Sequence, residues 1–155
     1  MNQYNEIEGN LITLAQEGAF DVIAHGCNCF CTMKRGIAPQ MAEAFGCDKF
    51  RLEGNEYKGQ INKLGQIDFE INRFNNHNLA IVNAYTQYNW STETKPFDYE
   101  AFWLCMRKIN HTFRGKHIGL PQIGSHLAGG DWEIIKQIIK KELVDMNVTI
   151  VIYKP

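Results

Sequence analysis

The chain has 155 residues and a formal net charge of −1, with 45% hydrophobic and 21% charged residues. This length and composition predict one globular domain over residues 1–155 with a substantial core. The balanced charge argues against general nucleic-acid binding, and no stretch approaches the roughly 18 apolar residues of a membrane span. The polar N-terminus and the five cysteines favour a cytoplasmic protein with reduced thiols.

The first predicted elements are a short helix, a buried strand and a second helix. Residues 11–16 are expected to be helical, because Asn10 can cap the start and Gly18 can end it. Residues 21–25 form a compact, mostly apolar run, which is typical of a parallel strand buried on both faces. A polar loop over residues 26–36 then leads to a predicted helix over residues 37–45.

The middle of the chain predicts a hairpin and a longer helix. Residues 65–71 alternate polar and apolar side chains, residues 79–84 are mostly apolar, and residues 75–78 between them are turn-like. A polar loop follows over residues 89–96. Helical spacing of apolar side chains predicts a helix over residues 99–113, which Gly115 ends.

The chain ends with a predicted strand over residues 117–121, a helix over 132–144 and a strand over 148–153. Helices that alternate with apolar strands predict an α/β fold, a three-layer α/β/α sandwich with a mixed, mostly parallel central sheet. Ligands of such folds bind outside the carboxyl ends of the strands. The loops that follow the strands at 21–25 and 117–121 both begin there.

The second of these loops is rich in glycine and leads straight into a helix. It contains, in order, Gly124, Ser125, His126, Leu127, Ala128, Gly129 and Gly130. A helix N-terminus favours an anion because its N–H groups are unpaired and the helix dipole is positive there, and glycines let the backbone come close. This pattern predicts a phosphate cradle. The alternative is a tight turn, but the similar loop after residue 25 favours a nucleotide-like ligand.

Several motifs, in a fixed order, resemble the macrodomain family. They are Gly9-Asn10-Leu11, residues 21–28, Gly36-Ile37-Ala38, residues 83–87, residues 123–132 and Ile152-Tyr153, and together they cover nearly the whole chain. The resemblance implies an ADP-ribose cleft at the carboxyl edge of the sheet. The chain is most similar to small stand-alone macrodomains that act as ADP-ribose 1″-phosphate phosphatases or ADP-ribosyl hydrolases.

Two departures from the family pattern place bulky side chains where backbone usually approaches the ligand. Lys34 and Arg35 stand where small residues usually precede the Gly36-Ile37-Ala38 motif. In the phosphate loop, Gly124 is followed by Ser125 and His126 in place of the common Gly-x-Gly. These changes affect the expected ligand more than the expected fold.

The resemblance also implies which residues contact the ligand. Asn28 matches the asparagine that holds the distal ribose, Asn10 stands where an aspartate usually accepts from adenine, and Tyr153 could stack on adenine. Further contacts are expected from Leu11, Gly36, Ile37, Ala38 and the glycine loop 124–130. Each of the three polar residues also has a structural alternative: Asn28 as a turn residue, Asn10 as a helix cap and Tyr153 as a packing residue.

Asp131 and His25 are the candidate catalytic residues. Asp131 corresponds to the acidic residue after the phosphate loop in the hydrolytic members, where a carboxylate could orient or deprotonate a water. Its alternative role is the N-cap of the following helix. His25 matches a histidine of the phosphatase branch, which could protonate a leaving group or bind the terminal phosphate, and its alternative is a hydrogen-bonded core residue.

The cysteines do not predict a metal site or a nucleophile. Cys27, Cys29 and Cys31 alternate along the chain, which is not the spacing of a zinc site, and no base is identified beside any of them. We therefore expect neither metal nor cofactor.

These observations lead to three hypotheses of function. The first is a metal-independent hydrolase that removes the substituent of the distal ribose, either as a phosphatase on ADP-ribose 1″-phosphate or as an ADP-ribosyl hydrolase. The second is a non-catalytic module that binds ADP-ribose or a related nucleotide signal, which the bulk of Lys34, Arg35 and His126 favours. The third is a scaffold whose cleft has decayed. The expected partner is a small ADP-ribose derivative or an ADP-ribosylated macromolecule, with no membrane.

Overall fold

The computed structural model describes residues 3–91, 93–125 and 128–154. The elements follow the order β1 (Gln3–Gly9), α1 (Leu11–Gln16), β2 (Val22–Asn28), α2 (Ala38–Phe45), β3 (Ile67–Phe74), β4 (His77–Gln87), α3 (Tyr99–Thr112), β5 (His117–Leu120), α4 (Trp132–Glu142) and β6 (Asn147–Tyr153). Four short 3₁₀ turns, Cys47–Lys49, Arg51–Glu53, Asn55–Tyr57 and Ile61–Lys63, connect α2 to β3. Among the described residues, no helix has both the length and the apolar composition needed to span a membrane.

The sheet has six strands in the order β1-β6-β5-β2-β4-β3. The pairs β1–β6, β6–β5, β5–β2 and β2–β4 are parallel, whereas β3 runs antiparallel to β4. Asn75 and Asn76 connect β3 to β4 with φ of 47° and 64°, as a two-residue turn with left-handed backbone requires. The predicted hairpin and the mixed, mostly parallel sheet are therefore confirmed.

Helices cover both faces of the sheet, so the predicted three layers are confirmed. Because successive side chains of a strand point to opposite faces, Val22 packs towards α3 and α4 whereas Ile23 packs towards α1 and α2. Buried side chains such as Met41 of α2 and Phe102 of α3 close the two cores.

The structure corrects the sequence prediction at several elements. The predicted strands at 65–71 and 79–84 are β3 at Ile67–Phe74 and β4 at His77–Gln87, so residues 77 and 78 belong to a strand and not to the turn. Strand β2 continues through Asn28, so residues 26–28 pair in the sheet rather than starting the loop. Strand β1 was not predicted from the sequence, because most of its residues are polar and exposed. It lies at the sheet edge and pairs only with β6, where apolar side chains are not needed on both faces.

Candidate ligand-binding cleft

The carboxyl ends of the parallel strands bring the predicted loops to one edge of the sheet. The loop after β5 and the loop after β2 are neighbours there, because β5 and β2 pair directly. Residues 88–98 follow β4 on one side of these loops. On the other side, β1 ends at Gly9 opposite Tyr153 of β6. The two predicted binding loops are thus adjacent, as the sequence analysis expected.

The glycine loop has a backbone that side chains would disrupt. Gly124 and Gly129 have φ of 73° and 80°, in the left-handed region that favours glycine. The amide of Gly130 donates to the carbonyl of Gly124 at 2.7 Å, which closes the loop on itself. Ser125 donates its hydroxyl to the carbonyl of Gln122 at 2.9 Å. His126 and Leu127, which the sequence assigns to this loop, lie outside the described residues.

Residues 95–97, in the loop after β4, pack against the glycine loop. The amide of Phe97 donates to the carbonyl of Ala128 at 3.1 Å. A Cβ atom on Gly124 would lie 2.3 Å from the Phe97 ring, and one on Gly129 would lie 2.6 Å from Cβ and Cγ of Lys95. Two of the loop glycines are therefore required by what packs on them.

Lys95 has an unusual backbone conformation. Its φ is 47° although it is not glycine, and it precedes Pro96, a position where extended backbone is normally favoured. A left-handed conformation costs an L-residue about 1–2 kcal/mol. The sequence predicts a polar loop over residues 89–96. It contains no local signal for the contact of Lys95 with Gly129, because this contact forms only in the folded chain.

Asp131 lies at the junction of the glycine loop and α4. Its Oδ1 accepts from the amide of Glu133 at 2.9 Å, and its own amide donates to the Tyr99 hydroxyl at 2.7 Å. The residue is exposed. It therefore caps α4 and keeps its carboxylate at the surface of the cleft edge, so the two roles considered from the sequence are geometrically compatible.

His25 is placed inside the protein rather than in the cleft. Its side chain is fully buried, and Nε2 donates to Asn83 Oδ1 at 2.7 Å. The amide of Asn83 donates in turn to the carbonyl of Cys47, which orients the Asn83 oxygen towards His25. The sulfur atoms of Cys27 and Cys47 lie 3.5 Å and 3.6 Å from Nε2.

Burial also sets the charge of His25. It lowers the pKa of the imidazole to about 4, although the hydrogen bond to Asn83 acts in the opposite direction. Within the described part of the chain, Nδ1 has no hydrogen-bond partner. A neutral imidazole without exposed atoms has no path to a ligand in this conformation, so the structure favours the core role considered for His25 over the catalytic one.

Asn28 uses its side chain to shape the loop that it begins. Its Oδ1 accepts from the amide of Phe30 at 2.9 Å, and its Nδ2 donates to the carbonyl and the hydroxyl of Thr32 at 3.0 Å and 2.8 Å. The residue is 8% exposed. The structure shows the turn role for Asn28, and the oxygen retains a second lone pair towards a ligand.

The residues expected to contact adenine lie together at the β1–β6 end of the edge. Asn10 caps α1, because its side-chain oxygen accepts from the amide of Thr13 at 3.1 Å. The Leu11 side chain is buried. Tyr153 is 62% exposed, and the amide of Lys154 donates to the carbonyl of Gly9 at 3.0 Å. The open face of Tyr153 is thus free for stacking, while Leu11 can offer only its backbone.

The Gly36-Ile37-Ala38 motif forms the start of α2. Gly36 has a φ of 62° and open space around its Cα, and Ile37 is the N-cap residue. Lys34 and Arg35 are exposed rather than folded into the loop. The bulk that the sequence places here therefore points outward, and it does not fill the backbone of the motif.

A cavity of about 450 Å³ opens where the loops after β2 and β4 meet. The Phe30 ring lines this cavity. The Tyr88 and Trp90 rings stand edge-on to it, with ring centroids 4.9 Å and 5.4 Å from that of Phe30. Arg35 and Glu93 provide charge on the cavity wall. A larger groove of about 790 Å³ lies between α3 and α4, and none of the described residues that were predicted for the site lines it.

A buried ion pair contacts the loop after β2, and no local pattern in the sequence predicts it. Lys63 Nζ lies 3.9 Å from Glu53 Oε2, and both side chains are almost fully buried. The Lys63 ammonium also donates to the Cys29 carbonyl at 3.2 Å, and the Tyr85 hydroxyl donates to Glu53 at 2.8 Å. Burial raises the pKa of Glu53, whereas the Tyr85 hydrogen bond and Lys63 lower it. The two residues lie in the 3₁₀ turns that connect α2 to β3.

The thiols and carboxylates do not assemble into a metal centre within residues 3–91, 93–125 and 128–154. Four of the five cysteines are buried, and Cys31 is partly exposed. Burial raises the pKa of Cys29 to about 11 and that of Cys47 to about 12. These thiols are therefore protonated near neutral pH.

The chain has one related protein of similar length and several similar structures. It is 33% identical over 157 residues to an uncharacterized 17.5 kDa protein of Enterobacteria phage T4, and the match covers 96% of each chain. No protein-family model matches the sequence. A Bacteroides thetaiotaomicron protein of unknown function is similar in structure, with a TM-score of 0.76 and 26% identity over 97% of this chain and 98% of that one.

Two further structures identify the fold. The macrodomain of Thermus aquaticus DarG has a TM-score of 0.70 and 21% identity, over 99% of both chains. Thermosipho africanus DarTG, solved in complex with ADP-ribose, has a TM-score of 0.75 and 15% identity, over 100% of this chain and 42% of that one. The chain therefore belongs to the same family as the phage T4 protein, and its fold is that of the macrodomains, as the order of its sequence motifs predicts.

Proposed function

We propose that the protein binds ADP-ribose derivatives in the cleft at the carboxyl edge of the sheet and hydrolyses the substituent on the distal ribose. The observation that carries this proposal is the glycine loop before α4, in which Phe97 packs against Gly124 and Lys95 against Gly129, so that neither position has room for a side chain. Bare backbone at a helix N-terminus is a site for a phosphate group. The complex of Thermosipho africanus DarTG with ADP-ribose supports this choice of ligand.

In this proposal, the parts of the ligand follow the order of the strands along the edge. Adenine lies at the β1–β6 end, between Asn10 and the exposed ring of Tyr153, and the diphosphate lies over the glycine loop after β5. The distal ribose then reaches the loop after β2, near Asn28 and the Gly36-Ile37-Ala38 motif. Its substituent points towards the 450 Å³ cavity at the β4 end.

Asp131 is the catalytic group in this proposal. Its carboxylate is exposed beside the glycine loop, and only Oδ1 is used to cap α4 among the described residues. The other oxygen is available to orient and deprotonate a water. No metal takes part in the proposed reaction. His25 supports the sheet instead of donating a proton, because its imidazole is buried and neutral.

Two substrates separate the possible reactions. Release of inorganic phosphate from ADP-ribose 1″-phosphate would identify a phosphatase, and release of ADP-ribose from an ADP-ribosylated macromolecule would identify an ADP-ribosyl hydrolase. The volume and aromatic lining of the cavity suit a substituent larger than phosphate, whereas Arg35 suits an anion. Dialysis against EDTA is expected to leave either rate unchanged. An EDTA-treated protein that needs zinc or magnesium for turnover would contradict the proposed mechanism.

The second candidate function is an ADP-ribose-binding module without catalysis. The burial of His25 favours it, because the acid expected for leaving-group protonation is withdrawn from the cleft. Calorimetric titration with ADP-ribose, run beside both turnover assays, distinguishes the two. Binding without turnover of either substrate would select the module, and equal affinity for AMP and ADP-ribose would contradict the cleft assignment altogether.

A further inference from the structure

We propose that Lys95 is an anion-binding residue of the cleft, whose ammonium group binds a phosphoryl group of the ligand held by the glycine loop. The inference rests on the proposed function and adds to it a cation from the loop after β4.

The first observation is that the segment carrying Lys95 is attached to the glycine loop. The amide of Phe97 donates to the carbonyl of Ala128 at 3.1 Å. The Phe97 ring fills the space that a side chain at Gly124 would need, within 2.3 Å of its Cβ position. Residues 95–97 and the glycine loop are thus packed as one unit, so Lys95 keeps a fixed position relative to the phosphate cradle.

The second observation is the contact of Lys95 with Gly129. A Cβ on Gly129 would lie 2.6 Å from Cβ and Cγ of Lys95 and 3.1 Å from its Cα. The aliphatic stem therefore lies against the bare backbone of the loop, and the ammonium extends from there on a flexible chain. Only a glycine at position 129 permits this approach.

The third observation is the backbone strain that the contact maintains. Lys95 holds a φ of 47° in the position before Pro96, where two independent preferences oppose it. Strained residues persist where the surrounding structure determines them, and they cluster at ligand clamps and active sites. This conformation brings the start of the Lys95 side chain onto the glycine loop.

The fourth observation is electrostatic. Among the described residues, Lys95 has no carboxylate within 4.0 Å of its ammonium group, whereas Lys63, Lys136 and Lys154 each have one. The exposed Lys95 ammonium and the positive end of α4 flank the same loop. Two positive features on one bare backbone favour an anion there over any neutral group.

The test uses charge-removing and charge-keeping substitutions at the same position. Lys95→Met keeps much of the stem and removes the charge, and Lys95→Arg keeps the charge. Lys116→Met is the matched control, because Lys116 is exposed and immediately precedes β5, at the opposite edge of the sheet. Calorimetry at low salt gives the Kd of each variant for ADP-ribose and for ADP-ribose 1″-phosphate, with melting temperatures to check folding.

We expect Lys95→Met to weaken binding about tenfold, the loss of one charge-assisted hydrogen bond. Lys95→Arg and Lys116→Met should stay near wild type, and the deficit of Lys95→Met should shrink as salt is raised. An equal loss for both ligands places the ammonium on the diphosphate, and a loss confined to the 1″-phosphate places it on the terminal phosphate. Wild-type affinity and salt dependence in Lys95→Met for both ligands would overturn the inference.

Failure of the proposed function would look different. A wild-type protein that binds neither ligand contradicts the ADP-ribose assignment, and the same variants are then titrated with inorganic pyrophosphate. Weaker pyrophosphate binding in Lys95→Met alone would support Lys95 as an anion-binding residue of another ligand. An unchanged pyrophosphate Kd would overturn the inference.

Discussion

Replacing Asp131 separates its role as a helix cap from its proposed role in catalysis. Oδ1 of Asp131 accepts from the amide of Glu133 at 2.9 Å. Asparagine caps a helix about as well as aspartate, so Asp131→Asn should keep this hydrogen bond and lose only the charge and basicity. Asp131→Ala should lose the cap, about 1 kcal/mol. For a chain of this size, that loss lowers the melting temperature by about 2–4 °C.

The two variants should therefore differ in stability but agree in turnover. If the carboxylate activates a water, both should lose turnover by roughly 10²–10⁴-fold, which corresponds to about 3–5 kcal/mol in the activation barrier. This loss is larger than the cap energy, so a weakened helix start cannot account for it.

The assay measures turnover of ADP-ribose 1″-phosphate and of an ADP-ribosylated macromolecule beside thermal unfolding. Asp98→Asn is the matched control, because Asp98 caps α3 through the amide of Ala101 at 2.9 Å in the same manner. It should change neither quantity. Asp131→Asn with an unchanged melting temperature and a near wild-type rate would reduce Asp131 to a helix cap and refute the catalytic assignment.

Three further predictions concern glycine, histidine and cysteine. Gly124→Ala should lower the unfolding free energy by more than about 2 kcal/mol, because a Cβ would lie 2.3 Å from the Phe97 ring. Gly36→Ala has a similar φ and open space, so it should cost only about 1 kcal/mol. Equal unfolding free energies of the two variants in denaturant would contradict this. The pKa of His25 falls from 6.5 to about 4 on folding, so the unfolded chain binds the proton first as the pH drops below about 6.5. The wild type should therefore lose about 2 kcal/mol more unfolding free energy than His25→Gln between pH 7 and pH 4.5. Parallel pH profiles of unfolding free energy would show that His25 is not buried in neutral form. A disulfide reagent should modify Cys31 rapidly in the native protein, because Cys31 is the partly exposed thiol. The other four thiols are buried, and burial raises the pKa of Cys47, for example, to about 12. A fast phase of modification that persists in Cys31→Ser would refute this.

The fold class and the positions of the two predicted binding loops follow from local patterns in the sequence. Helix ends at Asn10 and Gly46, the apolar runs of β2 and β4 and the helical spacing in α3 are local signals, since each depends on residues within a few positions of one another. Loops that follow parallel strands must meet at one edge, so adjacency of the loops followed from the topology. The edge strand β1 escaped prediction because its burial is slight and its apolar pattern is correspondingly weak.

The surroundings of the individual side chains, by contrast, depend on contacts between distant parts of the chain. In the sequence, His25 stands at the end of a strand beside a polar loop. Its surroundings in the folded chain include Asn83 and Cys47, which lie far away in the sequence. The contact between Lys95 and Gly129 likewise joins two loops that follow different strands. Long-range packing decides whether a polar residue faces solvent or the core, and it leaves no periodic trace in the residues themselves.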